Sequence, residues 1–159
     1  MTVCTHHKQC VFGAAGEPNG IGQMAAQGIT AIPEHFPEVT VDEYVVMPNH
    51  VHVILIFPQG VKDLSTVVGS YKAYVSKMFH MEHPGVPLWQ RSFYDHVIRD
   101  EAAYLEIKRY IRENPLKWNL DEYNPHACGR GRACPARDVK RITLLRATDG
   151  CDKNNRYNP

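Results

Sequence analysis

The sequence predicts one α+β domain in which an antiparallel sheet packs against helices, and three observations point there. Apolar residues switch along the chain between strand-like runs and helical spacing. Pro, Gly and Asn fall between those segments, where turns are needed. At 159 residues the chain has room for one core, since single cores commonly organise about 100 to 150 residues.

Met1 to Thr5 is short and β-compatible, and Gly13 to Gly22, rich in Gly, Pro and Asn, reads as a loop. Ile21 to Ile32 makes a helix that stops at Pro33, because proline lacks an N–H and clashes with the preceding turn. Val39 to Val46 and Val51 to Phe57 carry the branched and aromatic residues of strands. Pro48-Asn49 between them supplies turn chemistry, so the two form a hairpin.

From Asp63, Leu64, Val67, Val68, Tyr71, Val75 and Met78 fall at helical spacing, with Asp63 able to cap the first turn. His83 to Pro87 is a loop, Ser92 to Arg99 alternates as a strand does, and Asp100 opens a third helix that ends near Pro115. The order β-α-β-β-α-β-α is that of the ferredoxin-like split βαβ plan. It has an antiparallel sheet with helices on one face, followed here by an extra C-terminal helix. Residues 1–125 form this domain. Residues 126–159 lose periodicity and collect Gly, Arg, Asn and Pro, so they read as a loosely ordered tail.

Composition excludes several classes. With 43% hydrophobic and 22% charged residues the chain is neither disordered nor fibrous. Its longest apolar run, Val53 to Phe57, is too short to cross a bilayer and no secretory leader opens the sequence, so no membrane association and a cytoplasmic location are expected. Five irregularly spaced cysteines, Cys4, Cys10, Cys128, Cys134 and Cys151, read as reduced thiols; His126, Cys128 and Cys134 lack the spacing of a zinc finger. Net charge runs from −4 over residues 1–60 through +2 over 61–120 to +3 over 121–159, an asymmetry that permits a nucleic-acid partner without requiring one.

His50 and His52 lie two apart on a predicted strand, so their imidazoles share a face. Such a pair is found in metal sites and also among packed or surface histidines. Asn114 follows Tyr110 by four residues and so shares a helical face with it. Ala103, Ile107, Tyr110, Ile111 and Asn114 occupy that side, and Lys108, Arg109, Arg112 and Glu113 the other. On the helix alone, Tyr110 fits a core tyrosine and Asn114 a helix-ending residue as well as they fit a site.

Several segments together resemble the REP-associated tyrosine transposases, a branch of the single-tyrosine HUH, or IS200-like, transposases that act on single-stranded DNA. They are Val45-Val46-Met47-Pro48-Asn49-His50-Val51-His52, Ser70-Tyr71-Lys72, Leu88-Trp89-Gln90-Arg91-Ser92-Phe93-Tyr94-Asp95-His96-Val97-Ile98-Arg99, and Tyr110-Ile111-Arg112-Glu113-Asn114-Pro115. The resemblance implies that His50, His52 and Asn114 hold Mg²⁺ or Mn²⁺ and that Tyr110 is the nucleophile. It implies hairpin-forming DNA repeats as substrate, a ferredoxin-like fold, and a monomer or homodimer. Family members begin their first strand several residues before the stretch matching Met1 to Thr5, so a shortened first strand is expected.

Tyrosine has an ordinary pKa of about 10 and needs help to act as a nucleophile at neutral pH. In the chemistry the resemblance implies, a metal-bound phosphate would provide it, and attack by Tyr110 would then leave a 5′-phosphotyrosine and a free 3′ hydroxyl. Lys72 and Arg91 are candidate phosphate contacts, and Trp89 either stacks on a base or packs in the core. Two rivals stay open: a catalytically inactive nucleic-acid-binding remnant, and a metal-dependent phosphodiesterase in which water attacks and Tyr110 only packs.

Overall fold

The computed structural model describes residues 1–58, 63–125 and 145–146. Its strands are β1 (Thr2–Cys4), β2 (Gly13–Ala14), β3 (Glu17–Pro18), β4 (Thr40–Met47), β5 (His50–Phe57) and β6 (Leu145–Arg146), and its helices α1 (Gly20–Thr30), α2 (Ile32–His35), α3 (Leu64–Glu82) and α4 (Glu101–Glu113). The main sheet runs β1-β5-β4, antiparallel throughout, with β6 pairing in parallel beside Ile56 and Phe57. This is the expected α+β architecture. The expected tail of 126–159 lies, apart from β6, outside the described residues, as do His126, Cys128, Cys134 and Cys151. Cys4 and Cys10 are free thiols.

β5 is the central strand and is buried along nearly its whole length, because both of its faces are covered. Val51, Val53, Leu55 and Phe57 point into the larger core, where they meet Ala25 and Ile29 of α1 and Val67, Val68, Tyr71 and Val75 of α3. Their alternates His50, His52 and Ile54 point the other way, and Ile54 packs with Ile98, Ile107 and Ile111 under α4. Helices α1 and α3 therefore cover one face of the sheet and α4 the other. Gly28 lets α1 and α3 approach, since a Cβ there would lie 2.9 Å from the Tyr74 ring.

Helix α4 is held to the sheet edge by polar contacts as well as by this small apolar cluster. Its start is capped by Asp100, whose Oδ1 accepts from Ala103 N at 2.8 Å. The register of β4 on β5 shifts between Val41 and Glu43. From that irregular stretch Asp42 accepts from Tyr104 Oη at 2.9 Å and Lys108 Nζ at 2.8 Å, and Glu43 pairs with Arg112 at 2.7 Å.

Four local expectations need correction. Ser92 to Arg99 is not a strand. Gln90 N donates to Cys4 O, and Thr2 and Tyr94 exchange backbone bonds, so the 88–94 stretch lies along β1 only at isolated bridges. With three residues in β1, and extra residues bulging out between Gln90 and Tyr94, no continuous ladder forms. Pro33 does not end the helical run either. The break falls at Ala31, and Pro33 occupies the first turn of α2, where its missing N–H costs nothing. Asp63 precedes α3 without a side-chain cap bond. The loop 13–22 contains the β2-β3 hairpin and the first turn of α1, capped by Asn19.

Candidate active site

The alternation of β5 brings His50 and His52 onto the α4 face, both essentially without solvent exposure. Their Nε2 atoms face each other at 3.0 Å, with the rings edge-on at 4.6 Å between centroids. Each Nδ1 has its own partner: His50 meets Asn49 Oδ1 at 2.8 Å, and His52 meets Thr2 Oγ1, on the directly opposed residue of β1, at 2.8 Å. Burial, with a smaller contribution from Lys8, pushes the His50 pKa down to about 3. Burial likewise holds His52 well below the usual histidine range, aided by His50 and the N-terminal ammonium. Both rings are consequently neutral near pH 7, the form with a lone pair to give.

Helix α4 supplies the other two expected residues. The Tyr110 ring stands edge-on to His52, 5.4 Å between centroids. Burial pushes its hydroxyl up to about pKa 12; Asp121 adds to this, the Asn114 side chain favours the phenolate and draws it back, and Glu122 raises it slightly. Asn114 sits where α4 passes into a 3₁₀ turn, Asn114–Leu120, and is 2% exposed. Among the described residues its Nδ2–H has no acceptor at full hydrogen-bonding geometry, although it lies near enough to Tyr110 to favour the phenolate, a costly arrangement for a buried donor. His50, His52, Tyr110 and Asn114 thus gather at one place between β5 and α4.

Four further residues complete this place, and the sequence does not announce them as part of it. Asn49 and Thr2 hold the two Nδ1 atoms. Asp121 brings Oδ2 to 3.9 Å from His50 Nε2, its carboxyl raised by burial and partly restored by the bond from Tyr123 N to Oδ1 at 2.7 Å. The Tyr123 ring lies 4.6 Å from that of His50, with Lys8 Nζ 4.4 Å above it. Asn49 is legible inside the motif but reads as turn chemistry alone. No spacing links Thr2, Asp121 or Tyr123 to the histidines.

The three expected DNA contacts take other partners or face solvent. Trp89 is half-buried against the larger core, beside Phe12 and Tyr71, and donates Nε1–H to Lys72 O at 3.1 Å. Those are contacts of packing on its covered side. Lys72 Nζ donates to Gln90 O at 2.5 Å and to Arg91 O at 3.3 Å, pinning the extended 88–94 stretch. Arg91 is exposed.

Chemically, two neutral imidazoles with converging nitrogens fit a divalent ion of the Mn²⁺ type, whereas the unmet atom of Asn114, Nδ2, is a donor that suits an acceptor such as a phosphate oxygen rather than a cation. Among the described residues no group of three His, Cys, Asp or Glu is placed to hold a metal. No helix among the described residues is long and apolar enough to cross a membrane.

Comparison with known proteins bears on the same segments. The model of the IS200-like transposases matches residues 23–114. An uncharacterized protein of Haemophilus influenzae is 32% identical over 147 residues, which cover 77% of this chain and 82% of that protein. A REP-associated tyrosine transposase of Escherichia coli is 28% identical over 95 residues, covering 60% of this chain and 54% of its own length. A putative REP-associated tyrosine transposase of H. influenzae is 26% identical over 94 residues, covering 53% of this chain and 53% of its own length. The chain thus spans about half the length of these two transposases. The solved structure of a REP-associated tyrosine transposase bound to a REP hairpin superposes with a TM-score of 0.57 at 25% identity, covering 74% of this chain and 65% of that one.

Proposed function

We infer that this chain, which belongs to the IS200-like transposase family, cuts and rejoins single-stranded DNA at hairpin-forming repeats with Tyr110 as the nucleophile. One observation carries the reading: Tyr110 stands edge-on to His52, whose Nε2 faces that of His50 at 3.0 Å, and Asn114 follows Tyr110 by one helical turn. The hairpin substrate follows from the solved relative, which holds a REP hairpin.

The Tyr110 oxygen attacks the scissile phosphorus, a P–O bond to tyrosine forms, and the bond to the 3′ oxygen breaks. The phenolic proton ends on that 3′ oxygen, which leaves as a hydroxyl. The downstream strand stays attached through its 5′ phosphate. Because the phosphodiester energy is kept, attack by another 3′ hydroxyl reverses the step and joins strands without a nucleotide cofactor. His50, His52 and Asn114 would hold Mg²⁺ or Mn²⁺, which would supply Lewis-acid chemistry to offset charge on the phosphate.

The high pKa of Tyr110 makes that assistance necessary, since burial disfavours the free phenolate. Arg91 is the exposed cation we assign to the DNA backbone. We place the activity in the cytoplasm, in a monomer or homodimer.

The test is a covalent one. Labelled single-stranded hairpins with flanks, incubated with the protein and Mn²⁺, should give a denaturation-resistant adduct that maps to Tyr110. Cleavage without an adduct would point to attack by water, and binding without cleavage to an inactive remnant.

A further inference from the structure

The bonds around Asn49 leave one arrangement of protons. Its Nδ2 lies 2.9 Å from Lys8 O and 2.6 Å from Tyr123 O. Both partners are backbone carbonyls, which only accept, so the NH₂ end of the amide must face them whichever way oxygen and nitrogen are assigned. The remaining atom, Oδ1, then faces His50 Nδ1 at 2.8 Å. Oδ1 carries no hydrogen, so His50 Nδ1 must donate. A neutral imidazole has one such proton, and Nε2 is left bare.

We propose that Asn49 is a positioning residue for the metal centre, locking His50 in its Nδ1–H tautomer so that Nε2 always turns a lone pair toward the point it shares with His52. The tautomer lock stands on these hydrogen bonds alone, and its role in metal binding rests on the metal reading above. His52 is under no such constraint, because its Nδ1 partner is a hydroxyl that either donates or accepts. Without metal, His52 donates Nε2–H across the 3.0 Å gap to His50 while the Thr2 hydroxyl donates to His52 Nδ1. With metal, the His52 proton sits on Nδ1, Thr2 accepts it, and both Nε2 atoms are free to coordinate. One histidine is preset and the other switches.

Asparagine suits this post because it must donate twice and accept once in one plane. It also joins segments far apart in sequence, the turn at Lys8 and the strap at Tyr123, so the lock exists only once those segments are in place.

The first measurement is a long-range ¹H–¹⁵N correlation on the metal-free, full-length chain with labelled histidine, near neutral pH. It reads which ring nitrogen of His50 is protonated. Nδ1 should carry the proton in the wild type. Asn49→Ala should shift it toward Nε2, while Asn49→Asp, which retains an acceptor but cannot donate to the carbonyls, should keep it on Nδ1. The second measurement is Mn²⁺ titration: Asn49→Ala should weaken affinity by about 10- to 100-fold, the range seen for outer-shell partners of histidine ligands, and Asn49→Asp should retain it. A wild-type His50 protonated at Nε2 overturns the proposal, as does Asn49→Asp behaving like Asn49→Ala in both readouts. If Asn49→Ala fails to fold, the wild-type and Asn49→Asp spectra decide. A tautomer that responds as expected in a protein without Mn²⁺ affinity supports the lock and counts against the metal reading instead.

Discussion

The two faces of β5 make opposite use of neighbouring residues. Val51, Val53 and Leu55 face α1 and α3 in a core made almost wholly of apolar side chains. His50 and His52, each one residue away, face a pocket where nearly every contact is polar or aromatic. The apolar share of the α4 face is small, Ile54, Ile98, Ile107 and Ile111, and ion pairs from β4 help to hold the helix. Stability is concentrated on one face and chemistry on the other. Substitutions on the two faces should therefore separate folding from activity.

The largest effect expected is at Tyr110. Tyr110→Phe retains the ring beside His52 and deletes the attacking oxygen, so adduct formation and strand transfer should fall to background while hairpin binding and melting temperature stay near wild type. A Phe variant that cleaves as well as wild type removes Tyr110 from the chemistry.

Replacing both histidines sharpens the same contrast. The His50→Ala, His52→Ala protein should lose Mn²⁺ binding in a calorimetric titration, and unchanged affinity would refute the assignment of the metal. On the other face, Leu55→Ala should cost about 2 to 5 kcal/mol of unfolding free energy, as buried leucine truncations do. Mn²⁺ affinity of its folded fraction should not change. If Leu55→Ala instead abolishes metal binding without lowering stability, the division between faces is wrong.

A subtler difference is set by pH. In the folded, metal-free protein His50 has a pKa of about 3 and His52 lies well below the ordinary value, whereas in the unfolded chain both titrate near 6.5. Below about 6.5 the unfolded state binds more protons, so these histidines favour unfolding progressively as pH falls toward 3. Denaturant melts across that window should show the loss, and the double alanine protein should show less of it.

The smallest effect belongs to the surface contacts of α4. Arg112→Ala removes an exposed guanidinium from its pair with the partly covered Glu43 and should lower the melting temperature only slightly, since ion pairs that keep contact with water contribute little.

Much of the fold and half of the site are legible in the sequence. The strand period puts His50 and His52 on one face, and the helical period puts Tyr110 beside Asn114. Both follow from geometry within a single element. Pro48-Asn49 marks the hairpin, and Asp100 the start of α4, because turns and caps are also local. The pattern misleads where a neighbour decides: Ser92 to Arg99 alternates like a strand, yet β1 offers it too few residues to form a ladder.

Local periodicity sets which residues share a face: two histidines on a strand, a tyrosine and an asparagine on a helix. That these two faces meet, and that Asn49, Thr2, Asp121 and Tyr123 close around them, comes from packing between distant segments. The reason is physical. Periodicity is written into consecutive residues, but the bond from Asn49 to Tyr123, 74 positions away, exists only after the chain has packed β5 against α4 and brought the following turn back over His50.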